Sequence, residues 1–309
     1  MSITDNAVRD RYKLPLTGRL ASSVYLFTER SSIRGLWRLR RFARRIVPNR
    51  LVVAETAYGF GIIVNPREDD YQAQMFVHGT YEPATLRLMT EYLRKGDIVM
   101  DVGANIGLMS LHAARLVGPD GRVWSFEPSP FIFGRLQENI ALNGFGNVIS
   151  GFNIALGDRS EVRELFRYPA VNLGRTSLIH SGGGVVDGNV TVDTIDHIVS
   201  ANGIGNVRFL KVDVEGFELQ VLRGAQSLLE SAVPPILCVE MSRDIQRDTG
   251  AAIGSAHDPV MQSNDYRCFR FADTKFRESR LVSLSDIASI GDDENLVYLP
   301  ARLEASRLQ

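Results

Sequence analysis

The chain has 309 residues, 44% of them hydrophobic and 23% charged, with a formal net charge of −1. That length suits one large α/β core with appendages, and nothing in the overall charge balance points to nucleic-acid binding, which usually demands a strongly basic face. No run of about 18 apolar residues occurs, the N-terminus lacks a signal-like apolar segment, and both cysteines, Cys238 and Cys268, lie in apolar runs, so neither a membrane span nor a disulfide framework is expected and a cytoplasmic home fits best.

Residues 1–20 carry no periodicity and read as a mobile tail. Arg30 to Arg50 holds eight arginines and no acid, with Ile33, Leu36, Trp37, Leu39, Phe42 and Ile46 at roughly helical spacing, which makes a basic amphipathic helix. Two roles are open to it: peripheral contact with an anionic membrane or an acidic partner, or packing against the main domain with its arginines in solvent. Leu51 to Ala54 and Phe60 to Val64 alternate as a small hairpin, and Asp70 to His78 and Glu82 to Leu93 read as helices. The expected organisation is therefore a tail and basic helix over 1–50, a hairpin with helices over 51–94, and a ligand-binding domain over 95–309.

That last domain is arranged around KGDIVMDVGANIGLMSLHAARLVG, Lys95 to Gly118. Asp97 to Val102 is a short apolar strand between Gly96 and Gly103, and Leu108, Leu111, Ala114 and Leu116 give the helix that follows its apolar face. The turn carries Gly103, Asn105 and Gly107, which lets the backbone double back and a ligand approach without meeting a Cβ. The first N–H groups of the helix have no intrahelical acceptors and point into the crevice at the strand end, where open α/β sheets bind nucleotides. A strict G-x-G-x-x-G is absent. Asp101 closes the strand instead, placing a carboxylate where a pyrophosphate would be repelled and a ligand ammonium welcomed. Twenty residues beyond Gly107, RVWSFEP from Arg122 to Pro128 ends a second strand at Glu127, the spacing at which an acid reaches ribose hydroxyls. An ammonium site beside a ribose site points to S-adenosylmethionine (SAM).

Further on, Phe133, Leu136, Ile140 and Leu142 make a helix stopped by Asn143-Gly144, and Asn147 to Ala155 reads as a third strand. Glu161 to Tyr168 is an extra strand, residues 170–188 read as a mobile loop over the site or a plain linker, and Val190 to Val199 gives a strand and a short helix. Val207 to Val214 is the fourth core strand, Glu218 to Leu229 its helix, and Pro235 to Met241 the fifth strand, ending at Glu240. Tyr266 to Phe271 and Asn295 to Leu299 are two more apolar runs flanking a charged, hairpin-like insertion, and residues 250–264, with His257 and Asp258, are where private substrate contacts are expected.

GDIVMDVGANIG, FEPSPFIFGRLQENIALN from Phe126 to Asn143, and above all FLKVDVEGFELQVLRGA from Phe209 to Ala225 resemble the FkbM family of SAM-dependent methyltransferases. The likeness runs roughly from Tyr81 to Pro300. It implies a Rossmann-like class I methyltransferase fold, an α/β domain with a mostly parallel seven-stranded sheet, helices on both faces, and the two late apolar runs as its antiparallel closing pair. It also implies an acceptor that is a small hydroxylated molecule, sugar or secondary metabolite. By the same resemblance Tyr81 and Glu82 stand near the methionine end of SAM, though a helix N-terminal acid explains Glu82 as well. Asn153 and Asp158 fall where adenine is held, and turn chemistry explains Asp158 equally. Asp213 and Glu215 follow the strand that neighbours the first in such a sheet, with Glu240 one strand further out. Asp213 is the first choice for a contact to the transferred methyl or for the base, and Glu215 and Glu240 complete the catalytic set. The same carboxylates could hold Mg²⁺, and Glu215 or Glu218 could simply cap the following helix. Lys211 is a candidate partner for one of these acids. His112 is expected to point away from the site, with His78 and His257 as alternative bases. The competing class of function is a scaffold that keeps the SAM fold without turnover and docks through its arginine-rich helix.

Overall fold

The computed structural model describes residues 11–14, 18, 20, 23, 47–168, 176–179, 184–242, 255–272, 280–291 and 293–303. The arginine-rich segment, apart from its last residues 47–50, lies outside them. The chain divides into two compact units: Met1–Tyr81 with Gln137–Gly146, and Glu82–Leu136 with Asn147–Gln309.

In the first unit, β1 (Val52–Glu55) and β2 (Gly61–Val64) form the expected hairpin as a separate antiparallel pair. Helix α1 (Asp70–His78) starts where Asp69 accepts from Gln72 N–H at 2.6 Å and stops at Gly79, whose left-handed φ of 65° is a glycine conformation. The buried amide of Asn139 accepts from Ile63 N–H at 2.7 Å, tying the hairpin to residues 137–146.

The second unit is built on a mixed sheet in the order β13-β12-β14-β11-β10-β3-β4-β5. Here β3 is Ile98–Val102, β4 Arg122–Phe126, β5 Ile149–Phe152, β10 Val207–Val212, β11 Ile236–Ser242, β12 Tyr266–Phe271, β13 Leu281–Ser283 and β14 Asp293–Pro300. The five strands from β11 to β5 are parallel, and β14, β12 and β13 close the edge antiparallel. The α/β Rossmann-like expectation holds with one correction: the sheet has eight strands, because three residues of the charged insertion, too few to show a periodicity, pair with β12 as a short edge strand.

Strand alternation sorts the residues of this sheet onto two faces. Met100, Val102, Leu210, Val212, Leu237, Val239, Leu296 and Tyr298 belong to the large apolar core, with α5 (Ile195–Ala201), α6 (Glu218–Arg223), α7 (Gln226–Leu229) and α8 (His257–Ser263) contributing to it. The opposite face carries Asp101, Lys211, Cys238 and Glu240 among apolar Val99 and Phe209. Helix α2 (Pro83–Tyr92) meets this face where Thr85 reaches Cys238, and packs on α3 (Leu108–Val117). In the chain, α4 (Pro130–Leu142) follows β4 and precedes β5.

The expected third strand breaks at Asn153-Ile154. Its first half is β5, and Ala155–Leu156 is β6 of a second sheet, ordered β6-β9-β7-β8, with β7 Glu161–Arg167, β8 Thr176–Ser177 and β9 Val185–Asp193. Part of the segment read as a loop over 170–188 is thus strand, and the rest, apart from 178–179 and 184, lies outside the described residues. Among the described residues no helix is long and apolar enough to cross a membrane.

Candidate active site at the strand ends

The order β5-β4-β3 on one side and β10-β11 on the other makes the gap between β3 and β10 the point where the winding of the sheet reverses, and such crevices bind ligands at the carboxyl ends of the strands. Gly103 leaves β3 with φ 82°, and a Cβ there would lie 1.7 Å from the Asp213 carbonyl oxygen, so the two strand exits touch backbone to backbone. Gly107 caps α3 at φ 100°, where a Cβ would meet Leu136 at 2.6 Å. Between them Asn105 stands at φ 51° and its Oδ1 accepts from Ile106 N–H at 2.7 Å.

Glu127 is 4% exposed at the end of β4, its Oε2 accepting from Asn105 N–H at 3.0 Å and its Oε1 from Ser129 N–H at 2.9 Å. Burial pushes its carboxyl up to about 7, against the pull of those two N–H groups. Asp101 is 1% exposed: Ser110 Oγ donates to its Oδ2 at 2.5 Å and also meets Ser125 Oγ at 2.7 Å, while Oδ1 has no hydrogen-bond partner. It is a fixed, buried carboxylate behind the turn rather than a freely hydrated one. Burial raises its pKa and Lys211, its register partner on β10, opposes that rise.

Asn153 is exposed, and its Nδ2 donates at 2.9 Å to the carbonyls of both Glu127 and Pro128. Its amide nitrogen therefore shapes the loop after β4, at the position expected to face adenine. Asp158 is half-buried beside Arg159, and Tyr81, in the first unit, packs edge-on against Tyr71 with ring centroids 4.7 Å apart.

The second half of the site is a carboxylate cluster. Glu82, Asp213 and Glu240, all half-buried, place one oxygen each within 4.8 Å of one another. The Asp213 carboxyl, 24% exposed, accepts from Lys211 Nζ at 2.6 Å, and Lys211 itself is 3% exposed. Burial pushes the Asp213 carboxyl up, but the Lys211 charge and a hydrogen bond with Glu240 outweigh it and hold it below the usual range. Glu240 is driven well above that range by the negative charge of Asp213 and by burial. Burial raises Glu82 too, despite Lys211, and its side chain is bonded by Thr85 at 3.2 Å and by Asn295.

Glu215 stands at φ 53° and its carbonyl accepts from Ser177 Oγ at 2.8 Å. Glu218 turns its Oε1 back to accept from Val214 N–H at 3.2 Å and Gly216 N–H at 3.0 Å, so this acid closes the V-E-G turn that presents Glu215. Burial pushes it up to about 7. Among the described residues, the only non-glycine positions with positive φ are Glu82, Asn105 and Glu215. Left-handed backbone of this kind costs about 1–3 kcal/mol per residue and collects at functional sites. All three fall in the set picked out by sequence.

His112 and His257 stand apart from this chemistry. His112 Nε2 is bonded within the fold to Leu86 O and Thr90 Oγ1, and burial lowers its pKa to about 4. His257 Nδ1 meets Tyr298 Oη at 3.1 Å, and Tyr298 belongs to the core face, opposite Glu240. Sequence reasoning underrated Lys211 and missed Ser110, Ser125, Thr85 and Asn295. A lysine in an otherwise apolar buried strand was the one visible signal.

The Methyltransferase FkbM domain family matches residues 101–268, more than half of the chain. Hexuronic acid methyltransferase AglP of Haloferax volcanii is 33% identical over 155 residues, 48% of this chain and 59% of the relative. The 31-O-demethyl-FK506 methyltransferase FkbM of Streptomyces tacrolimicus is 29% identical over 164 residues, 43% of this chain and 61% of the relative. The chain thus spans about three fifths of the length of these curated relatives. A solved SAM-dependent O-methyltransferase from Thermotoga maritima superposes at a TM-score of 0.40 with 13% identity, covering 86% of this chain and 83% of the other, a likeness too loose to carry a functional argument.

Proposed function

We propose, from the premise that this chain belongs to the Methyltransferase FkbM domain family, that it is a SAM-dependent O-methyltransferase acting on a hydroxyl of a small molecule, a sugar or a secondary metabolite. The observation that carries the proposal is a pair of acidic features at strand ends on either side of β3: Glu127 after β4, set in backbone N–H groups beside the Gly103–Gly107 turn, and the Glu82–Asp213–Glu240 cluster at the ends of β10 and β11. The two relatives are named for a hexuronic acid and for 31-O-demethyl-FK506, which supports a hydroxylated acceptor.

The residues present fit SAM. The unpartnered Oδ1 of buried Asp101 offers negative charge behind the turn, and Glu127 retains lone pairs for ribose hydroxyls after accepting one N–H on each oxygen. Gly103, Asn105 and Gly107 let the ligand approach the backbone, and Asn153 and Asp158 are assigned to the rim of the same site. SAM supplies an electrophilic methyl group. The chain must then orient a hydroxyl in line with it and take up the proton as the carbon–oxygen bond forms. Asp213, ionised and open to the crevice, accepts the hydrogen bond from that hydroxyl. Because the Asp213 and Glu240 carboxyls are hydrogen-bonded to each other, the pair rather than either residue is the proton acceptor. Glu215, on its strained turn, lines the acceptor side.

Both cysteines are buried free thiols, consistent with a reducing, cytoplasmic setting. Titration calorimetry with SAM and with its demethylated product tests the cofactor, and product detection across a panel of hydroxylated acceptors tests the reaction. Binding without methylation of any acceptor would favour the scaffold reading instead.

A further inference from the structure

Lys211 and Asp213 are two apart on β10 and so share a sheet face. On that face Lys211 is level with Asp101 of β3 on one side and Cys238 of β11 on the other. Two residues nearer the strand ends lie Asp213 on β10 and Glu240 on β11, where Glu82, at the start of α2, joins them. The Lys211 side chain is 3% exposed and its ammonium reaches forward to Asp213 Oδ2 at 2.6 Å. A fully buried ammonium is tolerated only where carboxylates surround it, and Asp101, Glu82 and Asp213 all act on Lys211.

The donor set by itself invites a divalent cation. Three carboxylate oxygens within 4.8 Å match the spread of ligands around Mg²⁺ or Mn²⁺, whose oxygen partners sit about 2.0–2.2 Å from the metal. The ammonium argues the other way. It lies against one oxygen of the same Asp213 carboxylate, and a dication bound there would be held within a few ångströms of a buried positive charge.

Resting on the reading of this cluster as the methyl-transfer site, we infer that Lys211 is its built-in counter-cation: a positioning residue that takes the place of a divalent metal, aims Asp213 at the acceptor, and keeps Glu82, Asp213 and Glu240 from acting as a metal site. Removing the lysine charge should turn the cluster into one.

The test is Mn²⁺ binding to the full chain, followed by electron paramagnetic resonance and calorimetry without acceptor. Wild type is expected to show no Mn²⁺ binding that depends on Glu240. Lys211→Met is expected to gain affinity at least about tenfold, and adding Glu240→Gln is expected to abolish the gain. Lys211→Arg, which restores the charge, is expected to behave as wild type. A merely structural role for Lys211 would not create a metal site or be rescued in this way. Two results overturn the inference: wild-type Mn²⁺ binding that Glu240→Gln removes, or a folded Lys211→Met without the gain. Lys211→Gln replaces Lys211→Met if the latter fails to fold, and the wild-type arm decides independently of either. SAM calorimetry on the same preparations separates the two readings, since loss of SAM binding by wild type would refute the proposed function and leave the Mn²⁺ result to judge Lys211.

Discussion

Glu127→Gln is the most informative single substitution, because the structure predicts both how much binding it removes and how that loss depends on pH. The wild-type carboxylate already serves Asn105 N–H and Ser129 N–H, and ribose hydroxyls would add charge-assisted bonds to its remaining lone pairs. Hydrogen bonds to a charged group contribute about 1.5–3 kcal/mol each, so losing one such bond should raise the SAM dissociation constant by about 10–150-fold at alkaline pH. Burial places the free carboxyl at about 7. It is then about one tenth ionised at about pH 6 and about nine tenths at about pH 8, and if SAM binds the ionised form the wild-type dissociation constant should fall by close to tenfold over that interval. Glutamine cannot titrate, so the variant's profile should be flat. Isothermal titration calorimetry across this range, in two buffers of different ionisation enthalpy, measures the affinity and the proton released together. A flat wild-type profile, or a variant that keeps the wild-type slope, would refute the assignment of Glu127 to the ribose and the desolvation argument behind it.

Four further outcomes are expected. Asp213→Asn should slow methyl transfer by about 10²–10⁴-fold in initial-rate assays while SAM affinity changes little, with some loss of stability because Lys211 keeps its charge and loses its nearest anion. Gly103→Ala should cost about 2–5 kcal/mol in urea denaturation, since it combines a left-handed φ of 82° with a Cβ 1.7 Å from the Asp213 carbonyl oxygen. Glu218 has its folded pKa raised to about 7, so its share of stability is present below the unfolded value near 4.5 and is lost as pH climbs through 7. Glu218→Gln, which keeps an acceptor for Val214 and Gly216 N–H, should therefore show a smaller fall in Tm between mildly acidic and mildly alkaline buffer than wild type. If the arginine-rich segment over 30–50 docks on anionic lipid, the protein should co-sediment with acidic vesicles, neutral vesicles should not suffice, and the association should fade with salt; salt-independent sedimentation or none would leave the packed-helix role.

The sequence by itself determined the parts of the site whose cause is local. The strand, turn and helix from Asp97 to Val117 follow from an apolar run, glycines where φ must be positive, and a helical periodicity, all within two dozen residues. Glu127 was legible for a similar reason, because one helix and one turn set its distance from the first strand. Tertiary structure decided what depends on residues far apart in the chain meeting on one face. Lys211 could not be ranked from sequence, since its meaning comes from Glu82, Asp101, Asp213 and Glu240, which arrive from a helix start and three different strands. His257 sits where a loop base was conceivable, but its partner Tyr298 is one residue out of step with Val297 and Leu299 along β14, and that parity sends it to the core face. Asn153 kept its place at the strand end, yet its amide nitrogen turned to the Glu127 and Pro128 carbonyls, because backbone acceptors left open where β5 stops must be satisfied by whatever donor lies nearest.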